Sequence, residues 1–101
     1  MPHTHPRKLL VIISEAVLER QLVGEARALG ALGYTVADVR GGGAHGDHEG
    51  EWDADRSIEL QLICSDEVAQ RIASHVLERY APNYRVAVYV ADVGVFRAER
   101  F

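Results

Sequence analysis

The sequence has a single cysteine and no long apolar segment, and both absences limit what the protein can be. Cys64 cannot form a disulfide within the chain, and because it follows Leu62 and Ile63 we expect it to be buried as a small apolar residue. No apolar run approaches the roughly 20 residues that a membrane helix needs, and no signal-peptide pattern opens the sequence. A soluble, cytoplasmic protein is therefore predicted.

Basic residues are also few, with 11 Lys and Arg against 15 Asp and Glu. Five of the acids lie within residues 47–55, where no Lys or Arg occurs, so that 11 bases face 10 acids elsewhere. A nucleic-acid-binding surface needs a basic stripe, which this distribution does not provide. We therefore expect no nucleic-acid partner. The five acids are Asp47, Glu49, Glu51, Asp53 and Asp55.

Paired side chains for catalysis are likewise missing. No nucleophile stands in a pattern with a general base, and paired carboxylates occur only in the acidic stretch, where a long loop would leave them without fixed positions. The sequence therefore predicts that the protein is not an enzyme.

The apolar patterns present predict four strands and two helices in the order βαββαβ. Strands are expected over residues 8–13, 34–40, 56–64 and 84–95, and helices are expected to begin at Ser14 and at Ser65, each followed by an acid that favours a helix start. This order is typical of an α+β, ferredoxin-like fold with a four-stranded antiparallel sheet and two helices on one face. We expect one domain over residues 1–101, with a flexible tail at 1–6 and a long loop at 41–56.

The last strand is apolar on both sides, since Val88 and Val90 alternate with Ala87, Tyr89 and Ala91. The first strand has the same character, although the two helices can cover only one face of the sheet. The second face must be covered by something else, and for so short a chain the simplest cover is another copy of itself. A homo-oligomer is predicted.

Three successive glycines follow the second strand and come directly after Arg40. The main-chain amides of Gly41, Gly42 and Gly43 can converge on an anion such as a phosphate or a carboxylate, with Arg40 supplying positive charge. The same triplet can equally be a hinge or a linker. The residues by themselves leave both interpretations open.

Residues 33–46 read Gly-Tyr-Thr-Val-Ala-Asp-Val-Arg-Gly-Gly-Gly-Ala-His-Gly, and they resemble the segment of PII signalling proteins that leads into the mobile T-loop. Val90-Ala91-Asp92-Val93 resembles a second PII segment, and residues 7–97 follow the PII order of elements. The resemblance implies a homotrimer with nucleotide sites in the clefts between subunits. It implies that these sites use Thr35, Gly41, Gly43 and Arg97.

Departures from the PII pattern narrow the expected ligand. The family's glycine-rich phosphate loop is replaced by residues 78–84, which hold no glycine or lysine, and His45 stands where the family has a glutamine that helps to bind Mg-ATP and 2-oxoglutarate. These losses resemble the branch linked to inorganic carbon uptake, of the SbtB and carboxysome-associated (CPII) types. We therefore expect ADP or AMP as the regulatory ligand, with bicarbonate as a second ligand and a bicarbonate transporter or a carboxysome-related protein as partner.

Two further features keep other hypotheses open. Trp52 either packs back onto the fold or offers an apolar anchor to a partner protein. His45 and His48, with the acids beside them, and His3 with His5 could ligate zinc or nickel, and a CutA-like trimer that binds divalent metals would share the fold. The favoured expectation remains a nucleotide-binding regulator without a metal.

Overall fold

The computed structural model describes residues 2–41 and 56–101, and these residues form the predicted βαββαβ order. Two short 3₁₀ helices are also present. Ala16–Leu18 directly precedes the first α-helix, and Ala98–Arg100 follows the last strand. No helix within the described residues combines the length and apolarity needed to span a membrane. The main elements are β1 His5–Glu15, α1 Glu19–Ala28, β2 Thr35–Val39, β3 Ser57–Cys64, α2 Asp66–Arg79 and β4 Val86–Val95.

The four strands form one antiparallel sheet in the order β2-β3-β1-β4. The central strand β1 pairs with β3 along eight residues and with β4 along ten, so that the chain's first strand joins its last. This arrangement confirms the α+β, ferredoxin-like architecture. It also leaves β2 and β4 as the two edge strands.

The core lies between the two helices and one face of the sheet, which we call the helix face. Strand side chains alternate between faces, so every second residue of β1 and β3 points toward the helices. Cys64 belongs to this core, as predicted, and burial raises the pKa of its thiol. The sheet contributes Leu10, Ile12, Leu60, Leu62 and Cys64, and the helices contribute Leu22, Ala26, Ala69, Ile72 and Val76.

Of the two predicted helix caps, one is present and one is wrong. The Ser65 hydroxyl accepts a hydrogen bond from Val68 N (3.2 Å) and caps α2. Ser14 instead lies inside β1, where it is buried opposite Ile58 and Val86, and its hydroxyl donates to the carbonyl of Glu15. Pairing with two neighbouring strands therefore extends β1 past the local helix signal.

The predicted tail is shorter than expected. His5 and Pro6, assigned to the tail over residues 1–6, are the first residues of β1 and lie opposite Val95 and Gly94. The loop predicted over residues 41–56 falls between β2 and β3, but its residues 42–55 lie outside the described ones, so its bounds stay a prediction.

Candidate functional site

The sheet has two ends, and the predicted site residues are divided between them. At the loop end, β1 and β2 finish while β3 and β4 begin, so that Glu15, Val39 and Ser57 lie in one row across three strands. At the terminal end, β1 begins and β4 finishes, with His5 opposite Val95. The 11 residues of β1 separate the two ends by about 33 Å.

Thr35, Arg40 and Gly41 belong to the loop-end half of the sheet. Thr35 opens β2, lies opposite Gln61 and is exposed, while Arg40 and Gly41 follow the end of β2 and are exposed as well. Among residues 2–41 and 56–101, no atom lies within 4 Å of a side chain added at Gly41. The predicted contributions of Gly42, Gly43 and Trp52 lie outside the described residues.

Arg97 lies beyond the terminal end, just after β4, and does not join the other predicted residues within one chain. It adopts a left-handed conformation (φ 58°, ψ 58°) and is the single non-glycine residue with a positive φ in the ranges 2–41 and 56–101. Its Nε lies 3.7 Å from Glu99 Oε1. A left-handed conformation costs a residue with a side chain about 1 kcal/mol or more, and such strain tends to occur at functional positions.

The face of the sheet opposite the helices, which we call the open face, is also apolar. Thr35, Gln61, Val11 and Tyr89 stand in one row across all four strands and mark this face. Tyr89 is 52% exposed, whereas Val11 in the central strand is only 2% exposed. The apolar residues of the open face are Leu9, Val11, Ile13, Ala37, Val39, Ile63, Ala87, Tyr89, Ala91, Val93 and Val95.

Glu15 is a residue of the loop end that the sequence did not single out for the site. It is the last residue of β1, and its Oε2 accepts a hydrogen bond from Arg85 N at 2.9 Å. Arg85 immediately precedes β4 and directly follows segment 78–84, which replaces the family's phosphate loop in the sequence comparison above. Only the tertiary approach of two residues 70 positions apart brings this carboxylate to the segment, so no local pattern could have identified it.

A polar cluster joins the two helices on their side of the sheet. Glu25 of α1 accepts hydrogen bonds from His75 of α2 and from the Tyr80 hydroxyl, and Arg79 Nε donates to that same hydroxyl (3.1 Å). Burial raises the pKa of Tyr80, and its bond to Glu25 adds to the rise. For Glu25, burial acts to raise the pKa, but the bonds from Tyr80 and His75 outweigh it and hold the pKa below its ordinary value. The cluster therefore fixes the end of α2 to α1.

The described residues contain no group of three or more His, Cys, Asp and Glu side chains arranged for a metal. His3 and His5 are exposed at the start of β1, and His45 and His48 lie outside the described residues together with the acids at 47–55. Within the described part of the chain, the metal hypothesis gains no support.

Comparison with known proteins gives a consistent result. Residues 7–100 match the family model of nitrogen regulatory protein P-II. A protein described as a PII-like signalling protein, from Thermus thermophilus, is 42% identical, with a TM-score of 0.83 and 97% of each chain covered. CPII from Thiomonas intermedia, in a structure bound to ADP and bicarbonate, is 25% identical, with a TM-score of 0.82 and coverage of 97% of this chain and 96% of that one. These matches do not support a metal-binding trimer of the CutA type.

Proposed function

Because this chain belongs to the nitrogen regulatory protein P-II family, we propose that it is a cytoplasmic regulator that binds ADP or AMP between its subunits. Its proposed output is the conformation of the loop over residues 41–56, with Trp52 as the contact for a protein partner. Since P-II proteins are signalling regulators, no catalytic step is proposed. Inorganic carbon uptake or fixation is the proposed pathway, with a bicarbonate transporter or a carboxysome-related protein as the partner.

The separation of the site residues carries this proposal. Thr35 lies about 20 Å along the strands from Val95 at the terminal end, and Gly41 follows β2 at the loop end, about 33 Å from Val95. Arg97 lies beyond Val95, so one chain cannot apply it together with Gly41 to one nucleotide. Two copies can do so if the terminal end of one approaches the loop end of the next. Repeating that contact around a threefold axis closes a ring of three chains, each cleft then holding one nucleotide.

The open face supplies a physical reason for such an assembly. Its apolar side chains include Tyr89, which is 52% exposed in the single chain, and the two helices lie on the other side of the sheet. Burying apolar area contributes about 25 cal/mol per Å², so a second copy seated on this face would be stabilised. Nucleotide binding and trimer formation are therefore proposed to depend on each other.

The preference for ADP or AMP follows from the charges available. The segment that replaces the phosphate loop offers neither lysine nor glycine, so ATP would gain few charge-assisted hydrogen bonds for its terminal phosphate, each worth about 1.5 to 3 kcal/mol. A relative that is 25% identical has been found with ADP and bicarbonate. For bicarbonate, we propose a seat formed by Arg40 with the amides of Gly41, Gly42 and Gly43.

Isothermal titration calorimetry with AMP, ADP and ATP, each with and without bicarbonate, tests the proposal. We expect ADP and AMP to bind at least as tightly as ATP, with one site per chain in a trimer. Arg97→Ala should weaken the binding of all three nucleotides about tenfold or more, because a charged hydrogen bond to phosphate is lost.

The matched control is Arg100→Ala, which removes the same charge three residues away in the last 3₁₀ helix. This variant should bind nucleotides like the unmodified protein. Tenfold tighter binding of ATP than of ADP and AMP would contradict the proposed ligand, and equal effects of the two arginine variants would remove Arg97 from the site.

A further inference from the structure

Segment 80–85 joins α2 to β4, and all of its main-chain N–H groups already have acceptors within the chain. Pro82 has no N–H, and the tight turn around Tyr80 uses the next two donors. An anion cradle needs N–H groups that point outward without a partner, so this segment cannot act as one. The acceptors are Val76 O for Tyr80 and Ala81, Tyr80 O for Asn83 and Tyr84, and Glu15 Oε2 for Arg85.

The last of these bonds differs from the others because its acceptor carries a negative charge. Arg85 N donates to a carboxylate that comes from another strand, so this amide cannot donate to a phosphate oxygen while the bond is in place. Within segment 80–85, the N–H of Arg85 is the only one whose acceptor lies outside α2 and the turn. The carboxylate of Glu15 is therefore an anion supplied by the chain itself at this N–H.

Glu15 also lies close to the candidate nucleotide site. It shares a row with Ser57 and Val39 at the loop end, and two strand spacings place its backbone about 10 Å from that of Val39, next to Arg40. Its carboxylate accepts from Arg85 N on the β4 side of β1, so the charge itself lies further from Arg40 than the backbone does. At such a separation the repulsion is weak at physiological salt and strongest at low ionic strength, where the titrations should be carried out. A longer phosphate chain held beside Arg40 and Gly41 would bring more negative charge near this carboxylate.

We propose that Glu15 sets the charge limit of the nucleotide site, by occupying the Arg85 amide and repelling the terminal phosphates of ATP. This inference rests on the proposed function, since it concerns the same cleft. Two causes would then favour AMP over ATP. The missing phosphate loop removes attraction for the terminal phosphates, and Glu15 adds repulsion against them.

Glu15→Gln is the direct test, because glutamine keeps an oxygen that can accept from Arg85 N while the charge is removed. Calorimetry with AMP and ATP should give a ratio of ATP to AMP affinity that rises about fivefold, since ATP carries two more negative charges than AMP. The difference in this ratio between Glu15→Gln and the unmodified protein should shrink with added salt, as the repulsion from Glu15 is screened.

Two controls separate charge from structure. Glu19→Gln removes an exposed carboxylate from the first turn of α1 and should leave the affinity ratio unchanged. Glu15→Asp keeps the charge and should retain a ratio close to that of the unmodified protein. If Glu15→Gln does not fold, Glu15→Ala is the second uncharged variant, and the same rise in the ratio is expected.

The outcomes distinguish this inference from the function on which it rests. If the unmodified protein binds AMP and ADP but Glu15→Gln leaves the ratio unchanged, or raises both affinities equally, Glu15 does not discriminate and only the inference is wrong. If the unmodified protein binds no adenine nucleotide, both the proposed function and the inference are overturned.

Discussion

Leu60 and Ile63 lie three residues apart on β3, and they point to opposite faces of the same sheet. Leu60 is fully buried on the helix face, where α1 and α2 cover it, while Ile63 is half-buried on the open face. The two side chains are equally apolar, and the difference between them is whether this chain itself supplies the cover. We expect the cover of the open face to come from association with another copy of the chain.

The largest expected effect comes from a substitution in the core on the helix face. Leu60→Ala removes a core side chain packed between Ile12 and Val36 in the ladder, and the loss of apolar contact with the cavity left behind should cost about 2 to 5 kcal/mol of unfolding free energy. Urea denaturation followed by circular dichroism measures this cost.

The companion variant Ile63→Ala sharpens the comparison between the faces. If subunits cover the open face, its cost should grow with protein concentration, because stability then includes association. A loss from Ile63→Ala as large as that from Leu60→Ala, and independent of concentration, would mean that the chain alone buries both faces.

The contrast between the faces also explains what could be predicted from sequence. Alternation in β3 and the apolar runs of β1 and β4 are local patterns, so the sheet and the helices were predictable, while the second copy that these runs suggest stays a prediction. Ser14 was not, because the capping signal of a serine followed by an acid is present at both residues 14 and 65. Only pairing with Ile58 and Val86 keeps Ser14 in a strand.

The residues of the candidate site also differ in whether a local sequence pattern could identify them. Thr35, Arg40 and Gly41 lie in one short motif and could be proposed from it. Glu15 reaches its place through the fold alone, since Arg85 is 70 residues away in sequence. Contacts between subunits likewise depend on which residues lie at the two ends of the sheet, and no local sequence pattern indicates these positions.

A smaller effect, on association, is expected when a charged side chain is introduced on the open face, away from the core. Tyr89 and Val90 are neighbours on the edge strand β4, 52% and 47% exposed, and they point to the open face and the helix face respectively. Tyr89→Glu should weaken association by at least about 2 kcal/mol per subunit, because a carboxylate would be buried without a partner. Light scattering after size exclusion should then report the 11.2 kDa single chain.

Val90→Glu introduces the same charge one residue further along and should leave the trimer intact. Trimers from both variants would contradict the open face as the interface, and loss of the trimer only in Val90→Glu would reverse the assignment of the two faces. Nucleotide binding should fall with the trimer in Tyr89→Glu, since the proposed site needs two copies.

The smallest expected effect concerns the polar cluster that joins α1 to α2. Glu25 joins α1 to α2 through His75 and Tyr80, and these bonds hold its pKa in the folded chain below the ordinary value. A carboxyl group with a lowered pKa contributes stability above its ordinary pKa, and this contribution is lost as the pH falls through the pKa of the folded state. Glu25→Gln should therefore cost about 1 kcal/mol at pH 7 and progressively less as the pH falls below about 4, in urea denaturation at a fixed protein concentration.

Glu19→Gln, on the exposed first turn of α1, should be nearly neutral across the same range of pH. A cost for Glu25→Gln that stays constant down to about pH 3 would show that packing, and not the charge of Glu25, holds the helices together. Because the cluster lies on the helix side of the sheet, the same variant should leave the trimer intact. A concentration-dependent loss in Glu25→Gln would instead connect the helix layer to the subunit interface, and the two faces could no longer be treated as independent.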